Sequence, residues 1–326
     1  MSTNARKHAA RNYQRTHQVS YTEALRAVSQ HHNPAVIGRA EQQFLDALAI
    51  ADPTTFTPQP SWRQHAQDRD LVVPIATSIH EPAMATDPTV LRLNASNSTI
   101  ALIGKAGSGK SAALKAITLA ACARYSSQRV TFALAGANAA VLTDIAELPH
   151  ITTYCFDRSD GAHPDPCARQ WCTYLDQAMD RRTTDPQARL PELVLVIDAI
   201  DEFLLDLNPH AAATVQRAFD HGRELGIRII LSATTIHATE ASAWIFHAAG
   251  LDATVRVTPD TAIALATTSP EHSQLAVGHP DAWTLSPGLG HAYIRQSPRP
   301  AEGPIQLLYA GEAALSIAHR TAAYQR

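Results

Sequence analysis

Gly104-Lys105-Ala106-Gly107-Ser108-Gly109-Lys110-Ser111 is the stretch whose reading decides the fold. It fits the spacing G-x-x-x-x-G-K-[ST] of a phosphate-cradling P-loop, and its flanks fit too. Thr99-Ile100-Ala101-Leu102-Ile103 reads as a short buried strand running straight into it. Ser111 to Tyr125 reads as an alanine-rich helix with Leu114, Ile117 and Ala121 on one face. A Gly/Ser turn beside a chance lysine would not bring strand, loop and helix in that order.

The residue types follow from the chemistry. Gly104, Gly107 and Gly109 let the backbone turn tightly and approach an anion with no side chain between. The loop N–H groups and the helix N-terminus point at that anion. The candidate nucleotide-binding residues are Gly104, Lys105, Ala106, Gly107, Ser108, Gly109, Lys110, Ser111 and Ala112. Lys110 is expected to reach the β- and γ-phosphates, and Ser111 to ligate Mg²⁺. The cofactors expected are therefore ATP and Mg²⁺.

Further along, Leu193-Val194-Leu195-Val196-Ile197-Asp198 is an apolar run ending in a carboxylate, the Walker B pattern. A strand apolar on both faces belongs to a parallel sheet covered by helices. Asp198 would then stand at the C-terminal edge of the sheet and hold Mg²⁺ through water. Arg228 to Thr235 reads as the next strand, ending in hydroxyls; Thr234 is the candidate γ-phosphate sensor.

Composition bounds the rest. The chain has 326 residues, 45% of them hydrophobic, enough for one large α/β domain with a proper core. Net charge is −3, so any nucleic-acid contact would be local or shared around an oligomer. The four cysteines (Cys122, Cys155, Cys167, Cys172) form no C-x-x-C pair and read as reduced thiols. The sixteen histidines show no H-E-x-x-H or finger spacing. No run of about eighteen apolar residues spans a membrane, and the polar N-terminus does not read as a secretory signal. The expected location is cytoplasmic.

Working outward, residues 1–51 are expected to be helical. Ala5 to Arg15 reads as a basic helix, and Ser20-Tyr21-Thr22-Glu23 as a capping box opening a second. Ala40 to Ala51 reads as an amphipathic helix. The Pro-rich stretch 52–70 reads as a linker. Strands are expected at Leu71 to Ala76, Thr89 to Leu93 and Arg129 to Leu134, and a last buried strand at Thr254 to Thr258. Cys167 to Arg182 and His210 to Leu225 read as helices, the second stopping at Gly226. Trp283 to Tyr293, with Pro287-Gly288-Leu289-Gly290 inside it, reads as a hairpin. A closing helix is expected within 311–326.

In this order, the parts resemble the FtsK/SpoIIIE family of P-loop motors, within the HerA-FtsK superfamily, and the related ATPase domains of type VII secretion. The resemblance covers roughly residues 71–296, within a domain expected to span 71–310. It rests on Val73-Pro74-Ile75-Ala76, the Walker A stretch 102–111, Leu148-Pro149-His150, the helix–turn–strand of residues 222–234, and Pro287-Gly288 onward. It implies a RecA-like P-loop NTPase of α/β class, with a mostly parallel sheet flanked by helices. It also implies a homo-oligomeric ring, commonly a hexamer, that moves double-stranded DNA or engages a protein or peptide substrate.

The departures matter for activity. Translocases of this family usually carry Glu directly after the Walker B Asp, where this chain has Ala199. Their charged segment after the second strand is here Ala135-Gly136-Ala137-Asn138, and an Arg often found before the last strand is here Asp252. Asp198-Ala199-Ile200-Asp201-Glu202 resembles the extended Walker B of NACHT-type signalling NTPases, in which the later acids serve the site. Asp201 or Glu202 would then orient the attacking water. Arg223 and Arg228 are candidates for a trans-acting arginine. The reading favoured on the sequence is an ATP-driven oligomeric motor that translocates DNA; the alternatives are a slow or non-hydrolysing nucleotide-binding module that docks a protein partner, and a NACHT-like switch.

Overall fold

The computed structural model describes residues 34–79, 88–136, 141–156, 166–204, 209–238, 243–247 and 254–324. The expected basic helix and capping box near the N-terminus, and positions Ala137, Asn138 and Asp252, lie outside them. A first helix α1 (Pro34–Ala47) and a short α2 (Gln59–Gln64) precede strands β1 (Leu71–Ser78), β2 (Thr89–Leu93) and β3 (Thr99–Ile103). Then come α3 (Lys110–Arg124), β4 (Val130–Gly136), β5 (Ile151–Cys155), α4 (Pro166–Thr184), β6 (Glu192–Asp198), a single turn α5 (Ile200–Phe203), α6 (Pro209–His221) and β7 (Ile227–Ala233). The chain continues through β8 (His237–Ala238), β9 (Trp244–His247), β10 (Thr254–Val257), β11 (Thr261–Ala264), α7 (Pro270–Val277), β12 (His291–Gln296), β13 (Glu302–Leu307) and α8 (Ala313–Ala323).

One ten-stranded sheet carries the fold, in the order β2-β1-β13-β12-β11-β3-β7-β6-β4-β5. From β11 to β5 all neighbours are parallel, and from β11 to β2 all are antiparallel. This is the expected α/β class, mostly parallel and flanked by helices. The parallel strands are apolar on both faces because helices cover both. On one side β3, β4 and β6 contribute Ile100, Leu102, Phe132, Leu134, Val194 and Val196 to a core shared with Leu114 of α3, Phe44 of α1 and Ile317 of α8. On the other, Ala101, Ile103, Leu195 and Leu231 meet Trp171 of α4, Val215 of α6 and Val255 of the small sheet β10-β9-β8.

Several expectations change. Thr254–Val257 alternates exposed and buried residues and pairs antiparallel with β9 outside the main sheet, so it is not a last buried strand. Three strands of the main sheet follow it. The hairpin is not at Trp283 to Tyr293; it is β12–β13, and the Gly-rich turn chemistry marks the loop entering β12. Asp281–Thr284 is a 3₁₀ turn. The helix expected through Leu225 ends at His221, where the chain turns through Gly222 and Gly226 (φ 67°) into β7. The stretch expected as a linker contains α2, whose Trp62 indole N–H donates to the Cys122 carbonyl at 3.0 Å.

Two local features tie the outer parts to the sheet. His150 is fully buried, and its Nε2 meets the Tyr125 carbonyl at 2.8 Å. Burial pushes its pKa down to about 4. At the margin, Glu41 of α1 accepts the Ala313 N–H at 2.6 Å, capping α8. A Cβ on Gly311 (φ 52°) would fall 2.6 Å from the Glu41 carboxyl carbon, so a side chain there would push the clasp aside.

Candidate functional site

β3 is buried at all five positions and delivers the loop to the C-terminal edge of the parallel strands. The loop is pinned from both neighbouring strands. Gly104 N–H donates to the Ala233 carbonyl at 3.2 Å, past β7, and Lys105 N–H to the Ala266 carbonyl at 2.7 Å, past β11. A Cβ on Gly104 would meet Ser108 Oγ at 2.5 Å and Leu265 Cβ at 3.1 Å, which explains glycine there. Gly107 and Gly109 take φ of 76° and 107°, the left-handed region that favours glycine. Ala106 and Gly107 form an exposed tip, Ser108 is buried, and Ser111 and Ala112 are half-buried on the first turn of α3.

Lys110 is the hub. Its Nζ donates to the Gly104 carbonyl (2.6 Å) and Lys105 carbonyl (3.3 Å), and lies 3.4 Å from Thr234 Oγ1. Burial lowers its pKa, while the charges of Asp198, Asp201 and Glu202 pull the other way. The charges of all three sequence-predicted carboxylates thus act on one ammonium.

Each carboxylate is held differently. Asp198 is 1% exposed; its Oδ1 accepts from Ser232 Oγ at 2.5 Å, and its Oδ2 has no hydrogen-bond partner. It is packed against the last residue of β4: a Cβ on Gly136 would lie 2.9 Å from the Asp198 Cβ. Ser232 Oγ also accepts the Ala199 N–H at 2.9 Å. Ala199 itself sits at φ 52°, a strained place for a residue with a Cβ, and opens α5. Asp201 Oδ2 accepts the N–H groups of Thr234 and Thr235, both at 3.0 Å, and the Thr235 hydroxyl at 3.2 Å. Its Oδ1 is buried without a partner. Asp201 thus braces the loop that presents Thr234 to Lys110. Glu202 is half-buried on the same turn.

The candidate arginines are not at this edge. Arg228 is 6% exposed, and its Nε meets Glu192 Oε2 at 3.0 Å. Arg223 Nη2 meets Asp260 Oδ1 at 2.7 Å. Both pairs lie where the parallel strands begin, at the far end of the sheet. Two participants went unnoticed in the sequence. Ser232 looked like one more residue of an apolar strand, and only pairing across β6 and β7 places it on Asp198. Trp283 had no local pattern to mark it, yet its ring lies 5.8 Å from Lys105 Nζ.

The buried, unpartnered Asp198 Oδ2 and Ser108 Oγ, the glycine cradle and the hydroxyl at Ser111 suit a hydrated divalent cation beside a phosphate chain. No helix among the described residues is long and apolar enough to cross a membrane. The FtsK/SpoIIIE family model matches residues 63–185. The ESX secretion system protein EccC of Thermomonospora curvata is 26% identical over 285 residues, a match covering 80% of this chain. The chain spans about a fifth of that relative's length (20%). Among solved structures, the cytoplasmic domain of the T. curvata EccC ATPase superposes with a TM-score of 0.66 at 21% identity, covering 86% of this chain and 34% of that one. The pCW3 conjugation coupling protein TcpA, in a monomer form with ATPγS, gives 0.55 at 13%, covering 82% and 75%. Identities this low speak for a shared fold. The chain thus has a P-loop ATPase fold, matches the FtsK/SpoIIIE family over residues 63–185, and is similar to the ATPase domains of type VII secretion.

Proposed function

We propose that residues 104–112 bind ATP with Mg²⁺, and that the domain works as a nucleotide-gated docking module with slow turnover, engaging a protein or peptide partner. The observation that carries this reading is the treatment of the acids after Asp198. The position of the usual water-activating Glu is Ala199, held in the left-handed region by its N–H bond to Ser232. The next carboxylate, Asp201, is engaged by three donors of Thr234 and Thr235. Losing a positioned base typically slows such chemistry by about 10²–10⁴-fold. The similarity to a secretion ATPase supports a protein partner.

In the bound state, the loop N–H groups and Lys110 hold the phosphates, leaving behind the Gly104 and Lys105 carbonyls. Ser111 and Asp198 would hold Mg²⁺, which would offset phosphate charge. Thr234, fixed by Asp201, reports the terminal phosphate to the loop after β7.

A second reading has its own observation. Glu202 lies close enough to raise the Lys110 pKa, so it is a candidate base. The chain would then be a homo-oligomeric, ring-shaped motor on double-stranded DNA, as in the translocases, acting in the cytoplasm. Steady-state ATP hydrolysis with and without double-stranded DNA separates the two, for wild type, Glu202→Gln, Asp201→Asn and Ala199→Glu. The docking reading expects turnover near background, no DNA effect, and no further loss in Glu202→Gln. DNA-stimulated turnover that Glu202→Gln stops would replace it with the motor.

A further inference from the structure

We propose that Trp283 is the stacking platform for the nucleotide base. This rests on residues 104–112 being an ATP site, and extends it to the part of the ligand the phosphate loop does not touch. The 3₁₀ turn Asp281–Thr284 carries Trp283 at 45% exposure, although Trp171 and Trp244 are fully buried and Trp62 is held on α3. An aromatic ring this large is rarely left in water at a fixed place without a surface to meet.

The placement is rigid. Thr267 N–H donates to the Ala282 carbonyl at 3.3 Å. Ala282 is fully buried, and its N–H donates to Ser273 Oγ at 3.1 Å. Ser273 Oγ in turn donates to the His279 carbonyl at 2.6 Å. The same strand exit, Leu265 to Thr267, also anchors the phosphate loop through the bond from Lys105 N–H to the Ala266 carbonyl. Loop and ring are thus held by one short segment, and Lys105 Nζ lies 5.8 Å from the ring centroid.

Topology gives the direction. β3 has β7 on one side and β11 on the other. Asp198, Asp201 and Thr234 belong to β6, α5 and the exit of β7. A triphosphate lying across the loop directs its terminal phosphate to that side. Its sugar and base leave toward β11, where the Trp283 turn hangs. Stacking on an indole face tolerates any base and favours the larger ones, so the site takes purine nucleotides with little choice between adenine and guanine.

The test is calorimetric titration of the full chain with ATP, GTP, CTP and inorganic tripolyphosphate, each with Mg²⁺, for wild type, Trp283→Ala, Trp283→Phe and Lys110→Ala. Trp283→Ala is expected to weaken ATP and GTP by about tenfold, leave tripolyphosphate unchanged, and be largely rescued by Trp283→Phe. The platform is overturned if Trp283→Ala weakens ATP and tripolyphosphate alike, or neither. It is also overturned if the substitution alters only self-association, which would make Trp283 a contact between copies. If wild type binds tripolyphosphate as tightly as ATP, the platform alone falls. If wild type binds neither, or Lys110→Ala binds ATP normally, the nucleotide site falls and the platform with it.

Discussion

The two ends of the parallel sheet treat carboxylates in opposite ways. Where the strands begin, Glu192 receives Arg129 on one oxygen and Arg228 on the other, both at 3.0 Å. Asp260 receives Arg223 on one oxygen and the Ser98 and Thr99 N–H groups on the other, at 2.7, 2.8 and 3.0 Å. Every oxygen has a partner. Where the strands end, Asp198 and Asp201 each leave one buried oxygen without any. The first arrangement holds strands in register and asks for nothing more. The second carries a desolvation cost that the Lys110 charge and one satisfied oxygen on each acid offset only in part, which suits a ligand-binding edge. Charge at the edge of a sheet says little about function until its partners are counted.

The largest expected break in this comparison is Lys110→Ala. Nucleotide affinity should fall roughly a thousandfold, about 4 kcal/mol, with the thermal midpoint no lower than wild type, checked by calorimetry and a melting curve. Next comes Glu192→Ala at the other end. It strands the buried Arg228 guanidinium and should cost about 3 kcal/mol in urea unfolding while leaving ATP affinity unchanged. If ATP affinity fell with it, the two ends would not be separable.

His150 belongs to the beginning of the strands, just ahead of β5, and gives that end a pH signature. Its folded pKa, about 4, lies below the ordinary 6.5. Stability is therefore fully present above pH 6.5 and is lost as pH falls toward 4, by at most about 3 kcal/mol. His150→Gln should flatten that stretch of the pH–stability curve. The smallest effect is the most pointed. Asp198→Asn should raise stability by about 1 kcal/mol, since an amide costs less to bury than a carboxylate with one unpartnered oxygen, while removing the Mg²⁺ dependence of ATP binding. A destabilised Asn variant would mean that Asp198 is structural after all.

Strand, loop and helix around Lys110 were legible because their signals are contiguous: an apolar run, spaced glycines, an alanine-rich turn. The strand ending at Asp198 was legible for the same reason. Partners across the sheet were not. Arg228 stands among isoleucines, and nothing nearby predicts Glu192, which meets it only once β6 and β7 lie side by side. Asp201 read as a possible base because its stretch resembles the extended Walker B of NACHT-type NTPases; its engagement by Thr234 and Thr235 needs the fold. The antiparallel half of the sheet was hardest, because β1 pairs with β13 across most of the chain. The Pro-Gly-x-Gly run drew the hairpin to the wrong loop, since turn residues report bends without saying what they join.

The clasp of Glu41 on the first turn of α8 has a mechanical consequence. Glu41 and Ala313, 272 positions apart in the chain, are fastened to each other, and with them α1 and α8. Strain between α1 and α8 loads that carboxylate and the apolar packing around it first. β3 and its loop lie off the line of force until the clasp gives way. The clasp therefore stands between movement of α1 against α8 and the phosphate loop.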